Sequence, residues 1–163
     1  MARVGIIAEF NPLHSGHEFL INEAKNLGEV VCAISGNFVQ RGDCAIASKE
    51  IRARSALMSG ADLVCEIPVL WSMSTAQNFA LGGVSALLGL GCDTLIFGSE
   101  CGDTKALIKA AEYLLTEDAS TLIKEFLHEG YSLATSRQKA LDDTLGLGSL
   151  LSSPNDTLAI EYI

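Results

Sequence analysis

Four short apolar runs alternate with longer segments of helical period through the first 100 residues of the chain. The runs are RVGIIAE at 3–9, VVCAIS at 30–35, DLVCEI at 62–67 and TLIF at 94–97. Continuous apolar runs of this length, bounded by turn residues, are typical of strands buried on both faces of a sheet. The segments between them, at 16–27, 49–59 and 74–90, space their apolar residues as a helix does. This alternation predicts a doubly wound, Rossmann-like α/β fold with a parallel sheet and right-handed crossovers.

The pattern changes beyond residue 100, where helical segments are predicted at 105–115, 120–128, 136–141 and 157–163. We therefore expect an α/β domain over residues 1–100, followed by a helical extension over residues 101–163. The last of these predicted helices has no glycine or basic residue to close it, whereas helices usually end with one. This favours an N-terminal piece of a longer protein.

Composition excludes several classes of protein. The chain is 48% apolar, which excludes disorder. Its longest weakly charged stretch, 71–92, is too rich in Ser, Thr, Gln, Asn and Gly to cross roughly 30 Å of hydrocarbon, so we expect no membrane association. No basic segment precedes an apolar one at the N-terminus, so no secretory signal is predicted.

The cysteines are odd in number and never form a C-x-x-C motif; they are Cys32, Cys44, Cys65, Cys92 and Cys101. Three of them lie inside or beside the apolar runs, where a reduced thiol behaves as a small hydrophobic side chain. We expect a reduced, cytoplasmic protein with structural cysteines. A catalytic cysteine or a zinc site is the alternative.

The loop after the first run carries the chemistry, because doubly wound sheets bind ligands beyond the carboxyl ends of their strands. It reads EFNPLHSGH and holds two of the three histidines of the chain, His14 and His17. Pro12 fixes the backbone, and Gly16 allows a ligand to approach as the helix begins. The N–H groups of a helix N-terminus and two imidazoles can bind phosphate. The alternatives are an accidental pair or a metal site, for which only Glu9 is a nearby ligand; neither a G-x-G-x-x-G motif nor a P-loop is present.

The His14-x-Gly16-His17 motif resembles the H-x-G-H signature of the nucleotidyltransferase superfamily, whose fold is shared with the class I aminoacyl-tRNA synthetases. Five blocks, GIIAEFNPLHSGH, SGNFVQRGDCAIASK, GADLVCEIPVLWS, FGSE and SPND, together are similar to the bacterial tRNA(Met) cytidine acetate ligase family. The blocks cover nearly the whole chain and follow the order of that family. The resemblance implies a sheet of the HUP/nucleotidyltransferase type. It also implies an enzyme that converts acetate and ATP to acetyl-adenylate and acetylates the wobble cytidine of elongator tRNA(Met).

The same resemblance implies the site residues and ligands. His14 and His17 would be catalytic, stabilising charge on the α-phosphate. The ATP-binding residues would be Ile7, Ala8, Glu9, Phe10, Asn11, Pro12, Leu13, His14, Ser15, Gly16, His17, Glu18, Phe19, Leu20, Gly98 and Asn155. From the residues alone, Gly98 is also compatible with an ordinary turn, and Asn155 with a helix N-cap. Mg²⁺ is expected on the phosphates of ATP, with no metal site of the protein's own.

The segment 41–54 is the best candidate for contact with tRNA, because it holds four of the eleven basic residues. Arg41, Lys49 and Arg52 are the predicted contacts, and the spacing of the last two predicts one basic ridge on a helix. A solvated helix face is the alternative. The net charge of −9 does not favour binding to nucleic acid, although eleven of the twenty acidic residues lie from Glu100 onward.

Two other functions remain open from the sequence. One is an adenylyltransferase or cytidylyltransferase that uses the H-x-G-H loop on a small phosphorylated acceptor. The other is a nucleotide-binding module without chemistry. The sequence does not determine the oligomeric state.

Overall fold

The structure, a computed structural model, describes residues 2–40 and 42–163. Its strands are β1 (Arg3–Ala8), β2 (Glu29–Ser35), β3 (Leu63–Ile67) and β4 (Thr94–Leu95). Its helices are α1 (Ser15–Lys25), α2 (Lys49–Met58), α3 (Val69–Ser72), α4 (Ala76–Gly89), α5 (Thr104–Leu114), α6 (Glu117–His128), α7 (Leu133–Leu145) and α8 (Pro154–Tyr162), with a 3₁₀ helix at Gly148–Ser152. None of the helices in the described part of the chain is long and apolar enough to span a membrane. The chain divides into two compact units, Met1–Phe97 and Gly98–Ile163.

The first unit is built on a parallel sheet with the strand order β3-β2-β1-β4. Because successive side chains of a strand point to opposite faces, β1 separates two sets of contacts. Val4 and Ile6 join one core cluster with Ile21 of α1 and Ala56 of α2. On the other face, Leu87 of α4 packs over Gly5, whose missing side chain leaves the room. Helices therefore cover both faces of the sheet, and the predicted doubly wound fold is confirmed.

The cysteines fit the predicted structural role in part. All five are free thiols, and Cys32 and Cys92 are buried while Cys65 is half-buried. Burial raises the pKa of the Cys32 thiol to about 12, with smaller contributions from Cys65, Asp62 and Cys92. Cys32 is therefore an uncharged member of the hydrophobic core at neutral pH.

The second unit is helical, as the pattern beyond residue 100 predicts. Three of its helices begin with a side chain that accepts a hydrogen bond from the first turn: Asp103 for α5, Thr116 for α6 and Ser132 for α7. Helix α7 ends at Gly146, whose φ of 67° is the left-handed conformation that favours glycine. The sequence analysis predicts only the middle of α7 and does not predict the 3₁₀ helix.

Candidate nucleotide-binding site

The order of the strands in the sheet indicates where a ligand would bind. The chain runs from β1 outward to β3 and then returns to β4 on the other side of β1, so the order reverses beside β1. Ligands of open α/β sheets bind beyond the carboxyl ends of the strands at such a reversal. The loop that leaves β1 at this point is 9–14, and it leads directly into α1. The histidine motif therefore lies where the topology favours a ligand.

His14 and His17 cap the helix N-terminus reciprocally. Nδ1 of His14 accepts a hydrogen bond from the N–H of Gly16 (3.1 Å), and Nδ1 of His17 accepts one from the N–H of His14 (3.3 Å). The two rings stack with centroids 3.7 Å apart and an interplanar angle of 24°. A Cβ added at Gly16 would lie 3.1 Å from Cε1 of His14, so glycine leaves room for the ring. The absence of a side chain at Gly16 thus allows the ring of His14 to occupy this position.

These hydrogen bonds select one tautomer for both histidines. A ring nitrogen that accepts a hydrogen bond carries no proton, so the proton of each neutral imidazole is on Nε2. Burial, followed by the charge of His14, lowers the pKa of His17 from 6.5 to about 4. At neutral pH His17 is therefore an uncharged imidazole, and its Nε2–H is a donor that the helix cap leaves available.

Phe10 supports His17 from the protein interior. It is fully buried, and its φ of 48° places a non-glycine residue in the left-handed region. Its ring packs edge-on against His17 with centroids 5.0 Å apart. A large side chain in a rarely populated backbone conformation persists only where the surrounding packing fixes it. The core side chain of Phe10 thus determines where the loop turns toward His17.

Two side chains tie this loop to the segment between β2 and α2. Oε1 of Glu9 accepts a hydrogen bond from the N–H of Gln40 (2.8 Å). Oδ1 of Asn11 accepts one from the N–H of Ile46 (2.7 Å). The polar residues of the motif therefore bind protein backbone, and the exposed part of the loop is left to a ligand.

The residues predicted from the motif divide between core and surface. Ile7, Phe10 and the partly buried Leu13 and Leu20 belong to the interior. The exposed residues are Pro12, His14, Ser15, Gly16, Glu18 and Phe19. This exposed group and the half-buried His17 form the part of the motif that is most open to a ligand; Ile7 and Ala8, which end β1, support the loop from below.

The predicted basic ridge of Lys49 and Arg52 does not form, because Arg52 is buried. Its exposed fraction is 2%, and its guanidinium donates to the backbone carbonyls of Glu9 (2.5 Å) and Ser35 (3.0 Å). Burial lowers the pKa of Arg52, and the charge of Glu9 is the largest of the effects that raise it. The expectation that Arg52 contacts tRNA is thus corrected: its guanidinium lies inside the protein, where RNA cannot reach it.

Lys49 lies at the surface. Its Nζ pairs with Oε2 of Glu66 at 2.6 Å, and both side chains are more than a third exposed. The carboxylate of Glu66 raises the pKa of Lys49, chiefly through this hydrogen bond. The side chain of Ser48 does not cap α2; Oδ1 of Asn37 accepts the N–H of Lys49 instead (3.0 Å). Arg41, the remaining predicted contact, lies outside the described residues.

The FGSE and SPND blocks meet in the second unit. Oε1 of Glu100 accepts hydrogen bonds from the backbone N–H (3.2 Å) and the side-chain amide (3.0 Å) of Asn155. The N-cap position of α8 is Ser153, whose side chain makes no capping bond. Asn155 is therefore not the N-cap; it is exposed and held by Glu100. Nothing lies within 4 Å of a Cβ built on Gly98, so packing does not explain a glycine there.

The described residues contain no group of three or more His, Cys, Asp and Glu side chains that could hold a metal ion. His14 and His17 use their Nδ1 atoms within the helix cap, and Glu9 binds the N–H of Gln40. The donor set that a tetrahedral zinc site requires is therefore not assembled around the histidines.

Sequence analysis did not predict the buried structural role of Arg52 in the first unit, or the roles of Glu100 and Asp156 in the second. Arg52 precedes the buried Ala56 by four residues, so helical spacing alone places it on the face of α2 that packs against the sheet. This spacing between Arg52 and Ala56 can be read from the sequence and indicates that both residues lie on one face of the helix. No spacing pattern links Glu100 to Asp156, because they are distant in sequence and only the fold brings them together.

Comparisons with known proteins find matches to the whole of this chain. The family model described as HIGH Nucleotidyl Transferase matches residues 1–163. A tRNA(Met) cytidine acetate ligase of Caldicellulosiruptor bescii is 40% identical over 100% of this chain and 42% of its own length. Another, of Caldanaerobacter subterraneus subsp. tengcongensis, is 44% identical over 100% of this chain and 43% of its own length.

The structural comparison agrees with these matches. The crystal structure of Thermotoga maritima TmcAL bound with alpha-thio ATP superposes with a TM-score of 0.92 at 34% identity. The match covers 100% of this chain and 42% of that chain. The chain thus spans less than half the length of the relatives that it matches.

Proposed function

This chain belongs to the HIGH nucleotidyltransferase family, and from that premise we propose that it is the nucleotide-binding part of an ATP-dependent tRNA(Met) cytidine acetate ligase. The observation that carries the proposal is the reciprocal cap of His14 and His17 at the point where the strand order reverses. The similarity to tRNA(Met) cytidine acetate ligases over the whole of this chain supports it. The proposal also places the protein in the cytoplasm, where its substrates occur.

The reaction has two steps. A carboxylate oxygen of acetate attacks the α-phosphorus of ATP, an O–P bond forms, and the bond to the bridging oxygen breaks, so that pyrophosphate leaves. The exocyclic amine of the wobble cytidine then attacks the acetyl carbonyl. An amide bond forms, AMP leaves with the electron pair of the C–O bond, and the amine loses one proton.

Two donors in this chain suit the first step. In phosphoryl and nucleotidyl transfer the enzyme acts mainly by positioning the groups and by stabilising charge on the phosphate oxygens. The Nε2–H groups of His14 and His17 are fixed as donors by the bonds to their Nδ1 atoms. Preorganised donors of this kind need no rearrangement as charge develops, and losing one such donor typically costs about 3 kcal/mol of transition-state stabilisation.

ATP would bind along the loop and the start of α1. The exposed N-terminus of α1 offers a partial positive charge to the triphosphate, while the N–H groups of Gly16, His17 and Glu18 already donate to His14. Residues 7–20, Gly98 and Asn155 are the proposed ATP-binding residues, with Phe10 and Ile7 supporting the loop from the core. The alpha-thio ATP named for the Thermotoga maritima TmcAL structure supports a nucleoside triphosphate as the ligand.

Mg²⁺ is part of the proposal as an ion carried by the phosphates. It prefers oxygen ligands and retains several waters, so it is commonly held by substrate phosphates with one or two carboxylates. Bound there, the ion would reduce the repulsion between acetate and the triphosphate.

The test is exchange of labelled pyrophosphate into ATP, measured with and without acetate. We expect acetate-dependent exchange that falls by about 100-fold or more in His14→Ala and His17→Ala. His128→Ala is the matched control, since His128 is exposed at the end of α6. Exchange that is independent of acetate would contradict the proposal. Transfer of labelled AMP to a small phosphorylated acceptor would instead support an adenylyltransferase.

A further inference from the structure

Arg52 is a buried cation whose hydrogen bonds go mainly to backbone carbonyls, with one longer bond from Nη1 to Oγ of Ser35 (3.5 Å). Its Nε donates to the carbonyl of Ala47 (3.1 Å) and its Nη1 to that of Glu9 (2.5 Å). Its Nη2 donates to the carbonyls of Ser35 (3.0 Å) and Gly36. The planar guanidinium thus joins the segment after β1, the end of β2 and the segment before α2.

Burial excludes a surface role for this side chain, and it forms no ion pair with the described residues. Arg52 is 2% exposed, and no carboxylate among the described residues lies within ion-pair distance of it. The carboxylate of Glu9, whose charge raises the pKa of Arg52, accepts a hydrogen bond from the N–H of Gln40. A guanidinium is suited to bridge several acceptors because its donors are fixed in one plane.

The carbonyl of Glu9 connects Arg52 to the histidines through a short path. Phe10 follows Glu9 and packs against His17, and the side chain of Asn11 is tied to the N–H of Ile46. A shift of the Glu9 carbonyl would therefore move Phe10 and the turn into α1. Both histidines cap that turn.

We propose that Arg52 is a positioning residue for ATP, which holds the loop 9–17 in its binding geometry by fixing the Glu9 carbonyl against the end of β2. This inference rests on the proposed function, because ATP is the ligand whose binding it predicts. Arg52 would act through the geometry of its hydrogen bonds and not through its charge. A lysine at position 52 would keep the charge but could not reach the four carbonyls at once, so it should fail to replace arginine.

The test measures ATP affinity by calorimetry for Arg52→Lys and Arg52→Gln, beside two controls. Arg54→Gln removes an exposed arginine from the same helix. Arg3→Gln removes the bonds from Arg3 to Glu29 and to the carbonyl of Leu90, at the amino end of the sheet, so it perturbs stability away from the loop. Unfolding by urea, measured in parallel, reports how much stability each variant loses.

We expect both Arg52 variants to bind ATP about tenfold more weakly or worse, because small displacements of a positioned group have large effects. Both controls should bind as the wild type does. In nitrogen-15 spectra, the Nε2–H tautomer of His14 and His17 should dominate in the wild type and lose that dominance in Arg52→Lys. If Arg52→Gln fails to fold, the ATP affinity of Arg52→Lys tests the inference alone.

Wild-type affinity in Arg52→Lys would overturn the inference, as would an equal loss of affinity in Arg3→Gln at matched stability. Failure of the wild type itself to bind ATP would count against the proposed function. The two failures are therefore distinguishable.

Discussion

Glu100 and Asp156 cap each other's backbone. The carboxylate of Glu100 accepts the N–H of Asp156 (2.9 Å), and Oδ1 of Asp156 accepts the N–H of Glu100 (3.0 Å). Asp156 is 1% exposed and also accepts the hydroxyl of Ser99 (2.5 Å) and the N–H of Cys101 (3.1 Å). The exchange fixes the two segments that carry Gly98 and Asn155 to one another within the second unit.

Asp156→Asn should destabilise the protein more than Glu100→Gln. An amide at position 156 replaces Oδ2, the acceptor for the N–H of Cys101, with an N–H donor inside the protein, and an unsatisfied group of this kind costs about 1–3 kcal/mol. Glu100→Gln weakens the cap of α8 at an exposed site, and lost caps cost about 0.5–2 kcal/mol. Urea unfolding checks this, with the exposed Glu112→Gln of α5 as the neutral control. Equal stability of Asp156→Asn and that control would refute the predicted role of the carboxylate.

The free energy of unfolding should depend on pH through His17. Its pKa is about 4 in the folded protein, against 6.5 for an unperturbed histidine, so between these values the unfolded chain binds a proton that the folded one does not. The stability that the neutral ring contributes is therefore present above pH 6.5 and is lost as the pH falls through about 4. His17→Gln should show a shallower decline of stability over this range. His128→Gln, the control, should decline as the wild type does.

Two glycines of α4 should respond oppositely to alanine. A Cβ at Gly83 would lie 2.8 Å from Cδ1 of Ile7, the first residue of the proposed ATP-binding segment. Overpacking of this kind costs about 1–3 kcal/mol. Gly89, in the same helix, has nothing within 4 Å of such a Cβ, so Gly89→Ala should raise stability by about 0.4–1 kcal/mol. Thermal unfolding of the two variants measures the contrast, and a stable Gly83→Ala would show that the packing at Ile7 yields.

Lys49→Ala should weaken the binding of elongator tRNA(Met) and reduce the slope of log affinity against log salt by about 1, as expected for one lost phosphate contact. The ion pair with Glu66 is exposed, so its loss should change stability by about 1 kcal/mol or less. Lys109→Ala, an exposed lysine of α5, is the control. Filter binding at several salt concentrations measures the slopes. Arg41→Ala in the same assay tests the other predicted contact, and an unchanged slope in both variants would remove this segment from the tRNA surface.

Much of the fold could be predicted because its determinants are local. The first three apolar runs match β1, β2 and β3 to within one residue at each end, since buried parallel strands have continuous apolar sequence. The fourth was predicted at 94–97, but β4 covers only Thr94–Leu95. The short helix α3 was missed because four residues carry too little periodicity for detection.

The position of the histidine loop after β1 could be predicted from the sequence, and the contacts that hold this loop could not. The loop with His14 and His17 follows from the motif and the position of β1. Arg52 was predicted at the surface because charged side chains are rarely buried, and it is buried because four carbonyls converge on it from separate segments. A sequence does not reveal such convergence.

The sequence by itself determined the doubly wound sheet, the helical second unit, the histidine motif and the family. These depend on local periodicity and on contiguous residues, whose physical consequences do not require knowing what lies across the fold. Only the tertiary structure decided that Arg52 joins the ends of β1 and β2 and that Glu100 and Asp156 cap each other. Hydrogen-bond partners distant in sequence are chosen by where the packed strands and helices place their backbone groups, and that placement exists only once the chain has folded.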